Sequence, residues 1–208
     1  MNLEFRLDLT YGQTSMSKVE MWFPVSIYTQ EDLLTVEENE KIKEACLDIQ
    51  TKTECGGSDW IGGTYNTLGT LELNTDSRFN LLHDRISTHV HEFAKLHGSI
   101  GNYQLNSSWC NISTPGSFQE FHTHNGNVFS AVYYASSPEG SGNIIFEDPK
   151  EPDMCSLKNV PEKTPLSFIR ISYPPTERML IIFRAYLRHL VEPGKNSQPR
   201  ISIAANYR

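Results

Sequence analysis

What most limits how this chain folds is the rhythm of its second half. From Tyr103 onward, short runs rich in β-branched and aromatic residues alternate with breaks of Gly, Pro, Asn and Ser. The runs are Tyr103–Ile112, Gln119–His124, Phe129–Ala135, Asn143–Glu147, Leu166–Ile171, Met179–Phe183, His189–Val191 and Arg200–Asn206. Eight short strands separated by turn signals predict a mainly β architecture, a jelly roll or β-helix barrel.

The first half reads differently. Val36–Gln50 sets Ile42, Cys46 and Ile49 at steps of four and three, with charge on the opposite side. Asp76–His97 carries Phe79, Leu82, Ile86, Val90 and Phe93 on one stripe after a Thr75 cap. Two amphipathic helices ahead of the strands are expected to pack on the outside of one sheet. Between them, Thr53–Thr70 holds five of the thirteen glycines and reads as a long loop or loose hairpin. With Trp60 and Tyr65 it is either a cover over a site or an ordinary surface loop. The 208 residues suit one domain, with helical and loop support over 1–100 and a β core over 101–208.

A net charge of −7 argues against nucleic-acid binding through a broad basic face. The charged N-terminal stretch has no apolar run long enough for a signal peptide or membrane span, so the protein is expected to be cytoplasmic. Cys46, Cys55, Cys110 and Cys155 form no C-x-x-C pair and read as reduced thiols.

The seven histidines divide into two groups. His83, His89, His91 and His97 lie in the second helix, and no two stand at an i, i+4 spacing that would make a ligand face. His122 and His124 flank Thr123 on an expected strand, where residues two apart project to one side. Two imidazoles on one face of a barrel interior can share a metal ion. His189 stands in another apolar strand, and Arg200-x-Ser202 follows eleven residues later. An arginine pointing into a small barrel is expensive unless it meets an anion, and its planar fork suits a carboxylate. Three ligands on a metal with open positions beside them, and an anion clamp one strand away, describe a site for a chelating dicarboxylate.

At this point the sequence resembles the 2-oxoglutarate/Fe(II) oxygenases of the prolyl-hydroxylase-like double-stranded β-helix superfamily. Within them it is similar to a bacterial and phage family. The segment His122-Thr123-His124 through Tyr133-Tyr134 corresponds to its H-x-H…S-G-V-Y-Y stretch. Gly142 through Pro149 and Arg200 through Asn206 correspond to its later patterns. The resemblance implies Fe(II) and 2-oxoglutarate as cofactor and co-substrate, and hydroxylation of a C–H bond with release of succinate and carbon dioxide. It implies a small-molecule or peptidyl substrate. It gives His122 and His189 as iron ligands, Arg200 and Ser202 as holders of the distal carboxylate of 2-oxoglutarate, and Tyr134 as a further donor to it. Beyond the metal ligands it implies no separate catalytic residue.

One position departs from the pattern. The wider superfamily has H-x-D where this chain has His124. Either His124 is the third ligand, which the position favours, or a carboxylate from Glu120 or Asp148 takes its place. Two rival readings remain: a cupin-type three-His dioxygenase that uses no 2-oxoglutarate, and a non-enzymatic jelly-roll binding module. Gly116, separated from His122 by five residues, suits the cupin pattern, but the glutamate expected a few residues later is absent.

Overall fold

The structure, a computed structural model, describes residues 22–57, 61–150 and 157–208. Strand alternation sets its layout. In chain order the strands are β1 (Ile27–Gln30), β2 (Tyr65–Asn66), β3 (Leu105–Ser113), β4 (Gln119–His122), β5 (Phe129–Ser136), β6 (Ile144–Glu147), β7 (Arg170–Tyr173), β8 (Leu180–Arg184), β9 (His189–Val191) and β10 (Arg200–Tyr207). They form a six-stranded sheet, β1-β8-β5-β10-β3-β2, and a four-stranded sheet, β4-β9-β6-β7. Every pairing among them is antiparallel. The fold is mainly β with two N-terminal helices, a double-stranded β-helix as expected.

The larger sheet has two buried faces. Tyr133, Ala135, Ile182, Ile203, Ala205 and Tyr207 pack outward against helix α1 (Val36–Lys52) and helix α2 (Asn80–Leu96). Their strand neighbours Tyr134, Ile181 and Phe183 point inward and meet Ile144 and Phe146 of the smaller sheet. Two cores therefore share one sheet, and period-2 alternation decides which core each residue joins.

Helix α1 begins at a capping box. Thr35 Oγ1 accepts from the Glu38 amide at 3.2 Å, and the Thr35 amide donates to the Glu38 carboxylate at 2.9 Å. Its buried Asn39 ties it to the sheet: Nδ2 donates to the Ala135 carbonyl at 3.0 Å, and the Tyr133 hydroxyl donates to Oδ1 at 2.7 Å. Helix α2 starts later than its apolar stripe suggests. Thr75 donates its hydroxyl to the Glu72 carbonyl instead of capping, and Asp76 caps a short 3-10 turn over Ser77–Phe79. No helix among the described residues is long and apolar enough to cross a membrane.

Three strand expectations shift. β7 starts at Arg170, not Leu166, because Thr164 staples a turn, accepting from the amides of Ser167 and Phe168 at 2.8 and 3.2 Å. β4 stops at His122, not His124. The loop of Thr53–Thr70 contains β2, which pairs with Asn111 and Ile112 of β3. This loop is pinned across the start of β4: the Phe118 amide donates to the Gly62 carbonyl at 3.0 Å, and a Cβ on Gly62 would fall 1.9 Å from the Phe118 oxygen. Tyr65 donates to the Thr53 carbonyl, while Trp60 lies outside the described residues. Cys46, Cys55 and Cys110 are free, and Cys155 also lies outside the described residues.

Candidate metal centre

His122 and His189 are brought together by the pairing of β4 with β9, in which they are direct partners. The same pairing contains an irregularity between Gln119 and His122: three steps along β4 match two along β9. A one-residue bulge of this kind reverses the facing of what precedes it. Gln119 and His122 both line the cavity between the sheets, while Glu120 is exposed. Glu120, named from the sequence as an alternative ligand, therefore does not share the His122 face. Phe121 turns outward, between the Arg170 and Arg188 guanidinium groups. Asp148 is also absent from the centre; its carboxylate accepts from the Lys150 amide at 3.1 Å.

His124 sits just past the strand, in front of a turn at Asn125-Gly126 whose glycine has φ of 83°. Its amide donates to the Ala185 carbonyl at 2.9 Å, which draws it back over β4 and β9. The three imidazoles converge, with one ligand atom from each lying within 4.8 Å of the others. Nε2 of His124 and Nε2 of His189 approach to 3.3 Å. Adjacent imidazole positions around a first-row metal, with bonds of about 2.1 Å at right angles, put nitrogens about 3 Å apart.

Two of the rings are oriented by the backbone. Nδ1–H of His122 donates to the Glu120 carbonyl at 2.7 Å, and Nδ1–H of His189 to the Leu187 carbonyl at 2.9 Å. That fixes the tautomer that leaves Nε2 as the basic nitrogen, the arrangement metal-binding histidines need. Burial pushes all three basicities down, and mutual repulsion pushes down His124, to about 3, and His189. All three are neutral imidazoles at neutral pH. Trp109 lies against the His124 ring at 5.7 Å, and Phe183 against His189 at 4.7 Å, so both rings are walled by aromatics. The other four histidines are engaged elsewhere, as their spacing suggests: His83 with Ser108, His89 with Tyr28, His91 with Ser87 and His97 with Ser26.

The same cavity is lined by the residues read from the sequence as an anion clamp. β10 projects Arg200 and Ser202 to one side, and its pairing with β5 sets Tyr134 opposite Ser202. Arg200 is 2% exposed, its Nη1 donates to Ser202 Oγ at 3.3 Å, and its guanidinium lies 5.0 Å from the Tyr134 ring centre. Arg200 Nε and the Tyr134 hydroxyl are both buried; the two side chains lie against each other, yet neither of these atoms makes a well-formed hydrogen bond among the described residues. No ion pair reaches Arg200 among the described residues. Burial draws the guanidinium down from its usual range and pushes the Tyr134 phenol up; each partly offsets the other's shift. A guanidinium stays charged in any protein, and a buried unpaired charge costs several kcal/mol, on the order of 3–5. The cavity is lined by no carboxylate among the described residues. Its chemistry is a neutral three-nitrogen metal set at one end and an uncompensated cation with two further polar groups at the other. Both ends fit a metal-chelating dianion.

Comparisons with known proteins agree with this layout. Residues 107–206 match the family described as "Putative 2OG-Fe(II) oxygenase". No curated protein matches the sequence. Among solved structures, the chain is similar to a prolyl-4-hydroxylase of Pseudomonas putida (13% identity, TM-score 0.64, covering 88% of this chain and 93% of that one). It is similar to the viral collagen prolyl hydroxylase of Paramecium Bursaria Chlorella virus-1 in its 2OG complex (14%, 0.59, 88% and 95%). It is also similar to a non-heme alpha ketoglutarate dependent carbocyclase from nogalamycin biosynthesis (14%, 0.65, 88% and 79%). At such low identity these likenesses speak for the fold alone.

Proposed function

Since residues 107–206 of this chain belong to the 2OG-Fe(II) oxygenase family, oxidoreductases that use Fe(II) and 2-oxoglutarate, we propose that this cavity oxidises a C–H bond of a small-molecule or peptidyl substrate. His122, His124 and His189 hold the iron, and Arg200, Ser202 and Tyr134 hold the distal carboxylate of 2-oxoglutarate. The oxidant is dioxygen: with iron bound, one of its oxygen atoms would end in succinate as 2-oxoglutarate loses carbon dioxide, and the other would go to the C–H bond. The protein supplies the ligands, the orientation and the dry walls.

The observation that carries the reading is Arg200: a fully buried guanidinium, unpaired, in the same cavity as three converging imidazoles. A carboxylate there gains a charge-assisted hydrogen bond from Arg200 Nε and one from the Tyr134 hydroxyl, two donors that make no well-formed hydrogen bond among the described residues. Ser202, beside Nη1, adds a third contact. The cupin reading gives Arg200 no role, and the binding-module reading gives no reason to bury it. Three imidazoles in place of two and a carboxylate leave the metal centre one unit more positive. That favours a doubly anionic co-substrate and restrains an oxidised metal.

The roles divide cleanly among residues. The His122 and His189 rings are held by main-chain carbonyls, so their nitrogens need little reordering on metal binding. Trp109 and Phe183 keep water from the His124 and His189 flanks. Anaerobic addition of Fe(II) and then 2-oxoglutarate is expected to produce a visible charge-transfer band, which His122→Ala abolishes. No band in the native protein, or an undiminished one in the variant, overturns the reading.

A further inference from the structure

The cavity wall holds polar groups that neither the metal set nor the carboxylate clamp uses. Asn66 of β2, Asn111 of β3 and Gln119 of β4 all line it. Asn66 and Asn111 are 4% and 5% exposed, unusual burial for amides. Three separate features bring them together: the short edge strand pairs Asn66 with Asn111, the bulge in β4 turns Gln119 inward, and the pinned loop holds β2 in place.

Their hydrogen bonds are half used. The Leu68 amide donates to Asn66 Oδ1 at 3.0 Å, which fixes that side chain and leaves its NH2 without a hydrogen bond among the described residues. Gln119 Nε2 donates to Asn111 Oδ1 at 3.2 Å. Flipping both amides exchanges the roles, but either way the pair leaves one NH2 and one C=O without partners among the described residues. The cluster thus offers two donors and one acceptor. No lysine and no carboxylate lines the cavity among the described residues, and its single arginine is Arg200.

We infer that the amide cluster of Asn66, Asn111 and Gln119 is the specificity-determining part of the cavity, selecting an uncharged substrate group with one carbonyl and one N–H, a secondary amide. This rests on the oxygenase reading for the meaning of "substrate". The selection is electrostatic first. A carboxylate or ammonium entering here loses its water and finds no opposite charge beyond the arginine and metal that 2-oxoglutarate occupies. A neutral amide loses less and regains a donor and an acceptor on the cluster. Blocked or peptidyl amino acids therefore fit, and free zwitterionic amino acids do not.

The test is isothermal titration of the protein loaded with Mn(II) and 2-oxoglutarate, so that nothing turns over. The probes are the N-acetyl methylamides of proline and alanine, and the two free amino acids. The native protein is expected to bind at least one blocked probe about tenfold or more tightly than its free counterpart. Gln119→Leu is expected to reduce that preference to within about twofold. Asn66→Asp keeps the acceptor for the Leu68 amide and replaces the spare NH2 with an oxygen, so it should erode the preference as well. Equal or tighter binding of the free amino acids, no binding of either set, or an unaltered preference in both variants overturns the inference. The Fe(II) charge-transfer band reports separately on the oxygenase reading: amide binding without a band contradicts that reading and leaves the amide site standing.

Discussion

Tyr133 and Tyr134 are neighbours on β5, and both are fully buried. They face opposite sides of the larger sheet, and their hydroxyls meet opposite fates. Tyr133, on the helix side, donates to Asn39 at 2.7 Å. Tyr134, on the cavity side, lies against the Arg200 guanidinium, and its hydroxyl makes no well-formed hydrogen bond among the described residues. The contrast extends across the sheet. On the helix side His83 pairs with Ser108, and the Tyr207 hydroxyl reaches the His83 carbonyl. On the cavity side Arg200 Nε is left unpaired, and the nitrogens of three imidazoles face one another. Folding a chain rarely leaves buried donors unmatched, because each costs about 1–3 kcal/mol. Where several collect in one cavity, they are matched by something the chain does not encode.

The largest expected effect tests the cavity side alone. His189→Ala removes the most buried imidazole of the cluster and should abolish both the charge-transfer band and succinate release; a chain that still releases succinate breaks the assignment. Next comes the tyrosine pair. Tyr133→Phe leaves Asn39 Oδ1 unmatched in the core and should cost about 1–3 kcal/mol in urea unfolding, with no change in 2-oxoglutarate affinity. Tyr134→Phe should cost no stability and weaken 2-oxoglutarate about three- to tenfold, the loss of one hydrogen bond. Equal effects of the two substitutions on both quantities would erase the distinction between the faces.

A smaller effect sharpens the helix side. Burial holds His83 at about 4, below its unfolded value. The unfolded chain therefore takes up a proton below pH 6.5 that the folded chain refuses until about pH 4. Stability from this residue is fully present above pH 6.5 and is lost as pH falls toward 4, by about 2 kcal/mol between pH 6.5 and 5. Unfolding of the metal-free protein at those two pH values measures the slope. His83→Gln should flatten it by close to one proton. The imidazoles of the cavity, also depressed, keep part of the slope in the variant.

Much of this was legible in the residues. The β rhythm after Tyr103 and the two amphipathic stripes identify the layers, because burial on alternating faces leaves its mark on sequence. His122, His189, Arg200, Ser202 and Tyr134 line one cavity from strands, and His124 joins them from the loop just past β4 instead of by strand alternation. Alternation failed at β4, where one inserted residue sends Glu120 outward and Gln119 inward. No local signal marks that bulge. β1 and β2 were missed because their strand character comes from partners far along the chain, Leu180–Phe183 and Ile112, and not from their own pattern. Asn66 and Asn111 look like ordinary turn or strand amides until the pinned loop sets them side by side. Their role could not have been read from spacing.

On the proposed reading, burying Arg200 costs the metal-free protein stability, and a carboxylate offsets that cost. Unfolding of the native chain and of Arg200→Met, each metal-free and each with Mn(II) and 2-oxoglutarate, tests it most directly. A methionine fills the space without the charge, so the metal-free variant should be at least as stable as the native chain. The ligands should then raise the native chain well above the variant. A metal-free variant several kcal/mol less stable, with both proteins raised alike by 2-oxoglutarate, would contradict the account.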